Sequence, residues 1–241
     1  MSKIGKIRVM HFLNTKIQLS PVPSSILKED DKSTELTNEY PVYVLVTFRR
    51  QTTQMKSVIE RNYKTIEEAI SKEREMIRIE TKMIESLINE HCEILSYAGW
   101  EYTLKGFNTL CKRFHQILFD AFKDAFLWAE FVRSIYKCNN EYSKLLETRN
   151  PEIPIITYYK AAIKLMDDKT AFSQLERRFI IVEQIEKLIK NRTDLKNLKI
   201  IEWVFGNAKE EFRINALNAG LEADRIEVLI NSIDTGVNII I

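Results

Sequence analysis

One strongly β-prone segment, residues 40–59, stands out in a sequence that otherwise has the spacing of helices. Its first part, Val42–Phe48, is rich in β-branched and aromatic residues and predicts a strand. Met55–Ile59 predicts the partner strand, joined to the first through the polar connection Arg49–Gln54. The segment therefore predicts a β-hairpin with two arginines at or near its turn. Lys6–Leu13 predicts a further strand ahead of it.

Residues that form turns are scarce. Six glycines and five prolines among 241 residues favour helices with short connections. Directly after the hairpin, Thr65-Ile-Glu-Glu68 has the capping-box pattern, in which the threonine hydroxyl accepts a backbone N–H and the glutamate reaches back to the cap amide. A long helix is expected from Ile66 to Ser96. Its apolar positions form a near-heptad stripe of Ile66, Ile70, Ile77, Ile84, Leu87, Ile88 and Leu95.

The most hydrophobic segment is Tyr102–Tyr136, with apolar residues at helical spacing around much of its circumference. Such a helix is normally central, so this segment predicts the core of a helical body. The prolines in Asn150–Pro154 prevent a helix from continuing through this segment. After it, further helices are expected over 156–166, 171–190, 195–205, 208–219 and 222–233. Gly220 and Gly236 fall where left-handed residues end helices. The apolar tail Val237–Ile241 is β-prone, and we expect it to pack onto the body or join a neighbouring chain.

These elements predict a mainly α fold with a small N-terminal antiparallel β-sheet, an α+β chain whose body resembles a helical bundle. Three segments are expected along the chain. Residues 1–62 form a small β-sheet module with a long loop over 14–39, residues 63–150 form long helices of the core, and residues 151–241 form a C-terminal helical region that carries the apolar tail.

The charge of the chain is uneven. Its net charge is only +2, too small to indicate a polyanionic partner by itself. The first 62 residues carry ten Lys and Arg against six Asp and Glu, so any anion-binding surface is expected there. No signal segment or membrane span is evident, and a cytoplasmic location with no membrane contact is the default expectation.

Catalytic and metal-binding patterns are missing from the sequence. The three histidines, His11, His91 and His115, are isolated from one another, and no glycine-rich phosphate loop occurs. The three cysteines are expected to be buried, reduced core residues: Cys92, Cys111 and Cys138. Cys111 and His115 share a helical face, which fits core packing better than a reactive thiol pair. We therefore expect no cofactor, no metal and no catalytic residue, although an enzyme of unfamiliar type stays open.

Two features bear on nucleic acids. Arg49, Arg50, Lys56 and Arg61 place four cations in thirteen residues of the hairpin region, and a two-stranded ribbon can enter a DNA groove. The competing interpretation is an ordinary exposed hairpin whose arginines confer solubility. The second feature is Ala216–Ile226, which has helix-turn-helix spacing. Its second helix carries Glu222, Asp224 and Glu227, which would repel phosphates, so it predicts a structural corner.

The first 96 residues resemble a known family. A strand, a variable loop, the hairpin that begins Pro41-Val-Tyr-Val-Leu-Val-Thr-Phe-Arg-Arg and the helix start at Thr65 together resemble the N-terminal arm-type DNA-binding domain of tyrosine recombinases, especially those of Bacteroidetes. The resemblance implies a small sheet placed against DNA, followed by a helical domain. These enzymes need His-x-x-Arg, whereas the histidines here are followed three residues later by Asn14, Ile94 and Leu118. A relative of this kind would be non-catalytic.

Two hypotheses follow from the sequence. In the first, the chain is a non-enzymatic protein that associates with DNA or RNA through its N-terminal hairpin, and its helical body oligomerises or binds a protein partner. In the second, the chain is a helical scaffold that acts only through protein contacts, made by the long helix and the apolar tail. Salt-sensitive binding to nucleic acid separates the two hypotheses.

Overall fold

The computed structural model describes residues 5–17, 39–97, 102–138, 144–147, 149–150, 153–165, 170–190 and 193–241. The chain forms two compact units, Met1–Lys112 and Arg113–Ile241. This division falls between the boundaries expected after residues 62 and 150. The predicted fold class is confirmed, because helices dominate and a small antiparallel sheet lies near the N-terminus. The expected loop over 14–39 lies largely outside the described residues.

The first unit contains the sheet. Its strands are β1 (Arg8–Leu13), β2 (Tyr40–Phe48), β3 (Gln51–Lys56) and β4 (Asn62–Tyr63). The central strand β2 pairs antiparallel with β1 on one side and with β3 on the other. The short β4 pairs with the start of β2, where Tyr40 faces Tyr63. The β-prone residues thus form the centre of the sheet, because β2 has a buried residue at nearly every second position.

The predicted position of the second hairpin strand was wrong. Met55–Ile59 was expected to be the strand, but β3 begins at Gln51 and ends at Lys56. Phe48 pairs with Gln51, so Arg49 and Arg50 alone form the turn. A two-residue turn usually carries Asn or Gly. The polar residues after the arginines were therefore mistaken for a loop.

The helices of the first unit are α1 (Ile66–Lys72), α2 (Arg74–Tyr97) and α3 (Phe107–Phe114), the last of which extends past the division between units. The helix begins as predicted, since the Thr65 hydroxyl accepts the Glu68 N–H at 3.2 Å. The other half of the capping box differs, because the Glu68 carboxylate accepts the N–H of Lys64 and not that of Thr65.

The expected continuous helix from Ile66 to Ser96 is interrupted at Glu73. The Tyr63 hydroxyl donates a hydrogen bond to the Glu73 carboxylate, which ties this break to β4. The buried face of α1 also differs from the predicted stripe, because Ala69 is buried whereas Ile70, expected in the apolar stripe, is 45% exposed. Farther along α2, the expected residue Ile84 is fully buried.

The second unit consists of helices among its described residues. They are α4 (Leu118–Lys137), α5 (Lys144–Glu147), α6 (Ile155–Leu165), α7 (Ser173–Lys190), α8 (Thr193–Lys196), α9 (Ile200–Phe205), α10 (Ala208–Asn218) and α11 (Ala223–Ile240). A short 3-10 turn, Thr170–Phe172, precedes α7. Helix α4 lies at the centre and packs against α6, α7 and α11. Phe114, Leu118 and Phe122 are buried, as the apolar spacing predicts.

The segment Tyr102–Tyr136 is not one helix. Residues 115–117 separate α3 from α4, and Ile117 forms an antiparallel bridge with Lys199. The Leu118 N–H donates to the Leu198 carbonyl at 2.7 Å, and the Ile200 N–H donates to the Gln116 carbonyl at 3.0 Å. These bonds satisfy backbone groups that a continuous helix would have paired internally.

Gly220 ends α10 as predicted. Its φ of +83° is left-handed. The N–H of Gly220 donates to Leu217 and that of Leu221 donates to Ala216, the two hydrogen bonds of a Schellman motif. The residues Ala216–Ile226 thus form a helical corner, in which Ala216 and Ile226 are buried.

The prediction that Gly236 ends a helix was wrong, as was the extended conformation expected for the tail, whereas the expected packing of the tail onto the body is confirmed in part. Gly236 lies inside α11, which extends to Ile240, so the apolar tail is helical and not extended. Val237 is buried, whereas Ile239 and Ile241 remain 49% and 39% exposed. The spacing of Val237 four residues after Ile233 keeps it on the buried face of the helix. Of the helices described, none has the length and apolarity needed to cross a membrane.

Candidate nucleic-acid interface

The turn of the hairpin holds two arginines in an unusual backbone conformation. Arg49 has φ +46° and Arg50 has φ +65°. Positive φ at both central residues is typical of a type I′ turn, whose twist matches that of the flanking strands. Most residues that carry a Cβ are disfavoured there, and Asn is one of the few that tolerate it, which makes Asn and Gly the usual choices. The backbone of the turn is therefore locally strained, and the turn carries two cations at the tip of the hairpin.

The two arginines have different surroundings. The Arg49 guanidinium lies 5.1 Å from the centre of the Phe48 ring, and its side chain is half-buried. Gly5 lies close by, since a Cβ at that position would be 3.1 Å from Arg49 Cγ. Arg50 is exposed. Arg49 is thus held against the end of the sheet, and Arg50 is accessible to a ligand.

The sheet has one face that remains open to solvent, here called the outer face. Residues that are directly opposite in neighbouring antiparallel strands share a face, so the register defines three rows of side chains across β1, β2 and β3. The rows are Arg8–Thr47–Thr52, Met10–Leu45–Gln54 and Phe12–Tyr43–Lys56. All nine of these residues are exposed or half-buried.

The outer face combines cations, aromatic rings and neutral polar groups. The rings of Phe12 and Tyr43 are 6.1 Å apart, and Lys56 lies opposite Tyr43. Arg8, at the other end of β1, lies opposite Thr47 near the hairpin turn. None of the nine side chains is a carboxylate. The face can therefore offer ring surfaces to bases and cations to phosphates without a competing negative charge.

The opposite face of the sheet is fixed to α2 by a buried carboxylate. Glu80 is fully buried, and its Oε2 lies 3.0 Å from His11 Nε2 in β1. The Ser57 hydroxyl donates to Oε2 at 2.5 Å, and the Val58 N–H donates to Oε1 at 2.9 Å. Glu80 thereby connects β1 and the segment after β3 to one point of α2. This contact fixes the position of Met10 and Phe12, the outward-facing neighbours of His11.

The N-terminal part of α3 and the residues before it support the hairpin edge. The Thr53 hydroxyl donates to Asn108 Oδ1 at 3.1 Å, and Asn108 Nδ2 donates to the Gln54 carbonyl at 3.0 Å. The Leu104 N–H donates to Gln51 Oε1 at 2.9 Å. These bonds cover part of the edge of β3, where unpaired backbone groups would otherwise attract another strand.

The four predicted contact residues do not form one cluster. Arg49 and Arg50 occupy the turn, whereas Lys56 lies at the far end of β3. Arg61 is exposed just before β4, which pairs with the start of β2. Six residue steps separate the row of Lys56 from the turn, so the two pairs are about 20 Å apart along the strands. The cations thus mark two ends of the sheet.

Arg8 was missed from the sequence. The alternation Arg8-Met10-Phe12 in the first strand is the signal that could have identified it, because every second residue of a strand lies on one face. Without the pairing register, the sequence did not show that this face continues onto β2 and β3. The register brings Arg8 next to the turn arginines and gives that end of the sheet three cations.

The described residues give little support for other chemistry. They contain no cluster of three or more His, Cys, Asp or Glu side chains that could hold a metal ion. Cys92 and Cys111 are buried, but Cys138 is only half-buried, so the expectation of three core cysteines was wrong for that residue. Burial raises the pKa of the Cys111 thiol to about 12. A thiol with so high a pKa is a poor nucleophile near neutral pH.

No family model, curated protein or solved structure matches this chain.

Proposed function

We propose that the first unit is a non-enzymatic nucleic-acid-binding module that contacts double-stranded DNA with the outer face of its sheet and with its turn. The observation that supports this function best is the composition of that surface. Arg8, Arg49, Arg50 and Lys56 accompany two aromatic rings, and the nine outer-face positions and the turn carry no carboxylate. Phosphate contacts by Lys and Arg supply most of the affinity of such proteins for DNA.

The arrangement of the cations fits a groove. The two ends of the sheet are about 20 Å apart, and the major groove of B-DNA is about 12 Å wide. A sheet lying in the groove would place Arg8 and the turn arginines near one phosphate backbone and Lys56 and Arg61 near the other. The neutral side chains between them, such as Thr52 and Gln54, would then face the base edges, where such groups form hydrogen bonds.

The resemblance to the arm-type domains of tyrosine recombinases supports the same surface, because those domains place a small sheet against DNA. It does not support recombination, since the His-x-x-Arg pattern is missing from the sequence. In this proposal the first unit binds DNA, and the helical second unit serves assembly or binds a protein partner.

The test uses two substitutions in the hairpin turn that remove both of its positive charges and also relieve its backbone strain. The double variant Arg49→Asn, Arg50→Gly introduces the residues that a type I′ turn favours, so the hairpin should be at least as stable as before. We expect binding to a labelled DNA duplex to weaken clearly, with the slope of log K against log salt falling by about one to two, because Arg50 is exposed whereas Arg49 is half-buried. Fluorescence anisotropy at several salt concentrations measures both quantities.

A matched control removes two cations elsewhere in the same unit. Arg74 and Lys82 are exposed on α2, and the variant Arg74→Gln, Lys82→Gln should leave the salt slope unchanged. Single changes Arg8→Gln and Lys56→Gln should each lower the slope by about one. If wild-type protein shows no salt-sensitive binding to duplex DNA, single-stranded DNA or RNA, the proposal is wrong and the scaffold hypothesis takes its place.

A further inference from the structure

The second unit has an apolar groove between α4, α6 and α7. It encloses about 630 Å³. Its floor consists of buried side chains, Leu127, Ile155 and Val182, and its sides include Ile156 and Ile180, which are 38% and 54% exposed. An exposed apolar surface of this kind commonly marks a site of protein interaction. The groove lies entirely within the second unit, so it does not depend on the proposed DNA surface.

The rim of the groove is acidic. Among the described residues that line it, Lys123 is the one basic residue, and five are carboxylates: Asp120, Asp124, Glu176, Glu183 and Glu186. The excess is local, because residues 113–241 contain as many basic as acidic side chains. The groove therefore concentrates negative charge that the unit as a whole does not have.

Some of these carboxylates already have partners. Arg149 pairs with Asp124, Lys187 Nζ lies 2.9 Å from Glu183 Oε1, and the Tyr159 hydroxyl donates to Glu176 Oε1 at 2.5 Å. Glu186 also has an interaction partner. Among the described groups named here, five carboxylates stand against three basic groups, Lys123, Arg149 and Lys187. Exposed ion pairs of this type contribute little to stability and can exchange partners readily.

We propose that this groove binds a basic amphipathic helix of a partner protein. An amphipathic helix lays its apolar face into a hydrophobic groove through residues spaced at i, i+3, i+4 and i+7. The groove follows α7 from Glu176 to Glu186, a length of about 15 Å, which matches a partner helix of about ten residues. Lys and Arg on both sides of the apolar face would lie against the acidic rim.

The charge pattern determines which partner the groove selects. An acidic or neutral helix with the same apolar face would bury similar apolar area but would bring like charges, or none, against the five carboxylates. Electrostatic complementarity mainly raises the association rate and rejects wrong partners. Binding of the basic helix should therefore weaken as salt increases, whereas the apolar contribution should persist.

The experiment uses the full chain and a labelled 14-residue model peptide of leucine and lysine that forms an amphipathic helix. Fluorescence anisotropy should show saturable binding. The substitution Ile180→Ser should weaken it by about tenfold, the effect of removing one central apolar contact. The double change Asp120→Asn, Glu183→Gln should weaken binding at low salt and reduce its dependence on salt.

The controls are chosen on the same unit. Ile214 is 50% exposed on α10, and Ile214→Ser should leave the affinity unchanged. Glu211 and Glu222 are exposed, and Glu211→Gln, Glu222→Gln should also have no effect. Three results would overturn the proposal. They are the absence of peptide binding, equal binding of a leucine–glutamate peptide or a scrambled peptide, and concentration-dependent dimerisation that Ile180→Ser abolishes, which would identify a second copy of the chain as the occupant.

Discussion

At the scale of single residues, Glu80 is a fully buried carboxylate of the first unit whose burial requires several polar partners. It is fully buried, yet it accepts hydrogen bonds from Ser57 and Val58 and lies 3.0 Å from the ring nitrogen of His11. A buried carboxylate is tolerated only when such partners replace its lost hydration. The contacts come from β1 and from the segment after β3, so this one side chain fixes the position of both relative to α2.

We expect Glu80→Ala to destabilise the first unit by about 3 kcal/mol or more, because it leaves a histidine, a hydroxyl and a backbone N–H buried without their acceptor. Urea unfolding monitored by circular dichroism measures the loss. Glu85→Ala is the control, since Glu85 is exposed on the same helix, and its effect should stay within about 0.5 kcal/mol. Equal effects of the two changes would show that the contacts of Glu80 contribute no more to the free energy of unfolding than an exposed glutamate does.

At the scale of elements, the close approach of α4 and α11 explains Gly236. A Cβ at this position would lie 2.5 Å from Cδ2 of Phe122 and 3.3 Å from its carbonyl oxygen. Phe122 is fully buried, so its ring has little room to move. The glycine allows the two helices to pack closer than any other residue would permit.

The substitution Gly236→Ala should destabilise the second unit even though alanine is the better helix former. The gain in helix propensity is about 1 kcal/mol, and overpacking a filled core costs about 1–3 kcal/mol. Thermal or denaturant unfolding should show a net loss. Adding Phe122→Leu should recover part of that loss, whereas a stabilising effect of Gly236→Ala alone would contradict the tight contact.

The helices also differ in how far the sequence predicts their bounds. Long amphipathic helices such as α2, α4 and α7 follow from apolar spacing, which the chain encodes locally. The break at Glu73 coincides with its hydrogen bond from Tyr63, and the break at residues 115–117 coincides with the bridge from Ile117 to Lys199. Spacing carries no information about such partners, so both breaks were missed.

The candidate site was predictable in part for a similar reason. The cations of the hairpin are visible in the sequence, and the arginines occur at the turn as expected. Their grouping with Arg8 depends on the pairing of β1 with β2, across a connection of many residues. Sheet register between strands distant in sequence is a tertiary property, and alternation within one strand does not determine it.

At the scale of the whole molecule, alkaline pH should weaken both units. Three tyrosines have a pKa raised to about 12: Tyr63, Tyr102 and Tyr159. Burial is the main cause in each case, and the hydrogen bonds to Glu73 and Glu176 raise the pKa further at Tyr63 and Tyr159. The ordinary pKa of tyrosine is near 10. The folded state therefore resists ionisation of these phenols more than the unfolded state does.

The sign of the effect follows from linkage. The stability that these tyrosines contribute is fully present below pH 10 and is lost as the pH rises from 10 to about 12. Denaturant midpoints measured across this range should fall. The tyrosinate absorbance of these three groups should appear at a higher pH than that of ordinary tyrosines. Tyr63→Phe should reduce the fall, with Tyr136→Phe at an exposed position as the control. A flat profile above pH 10 would contradict the prediction.

The topology of the sheet also sets the order in which it can assemble. The central strand β2 reaches β3 through two residues, whereas β1 pairs with β2 only after the 26 residues between Leu13 and Tyr40 are looped out. Closing the longer loop costs roughly 2 kcal/mol more conformational entropy. We therefore expect the hairpin to form first and β1 to dock onto it afterwards. Arg8, Met10 and Phe12 lie on β1, so the surface proposed to bind DNA is complete only once a strand from a distant part of the chain has docked.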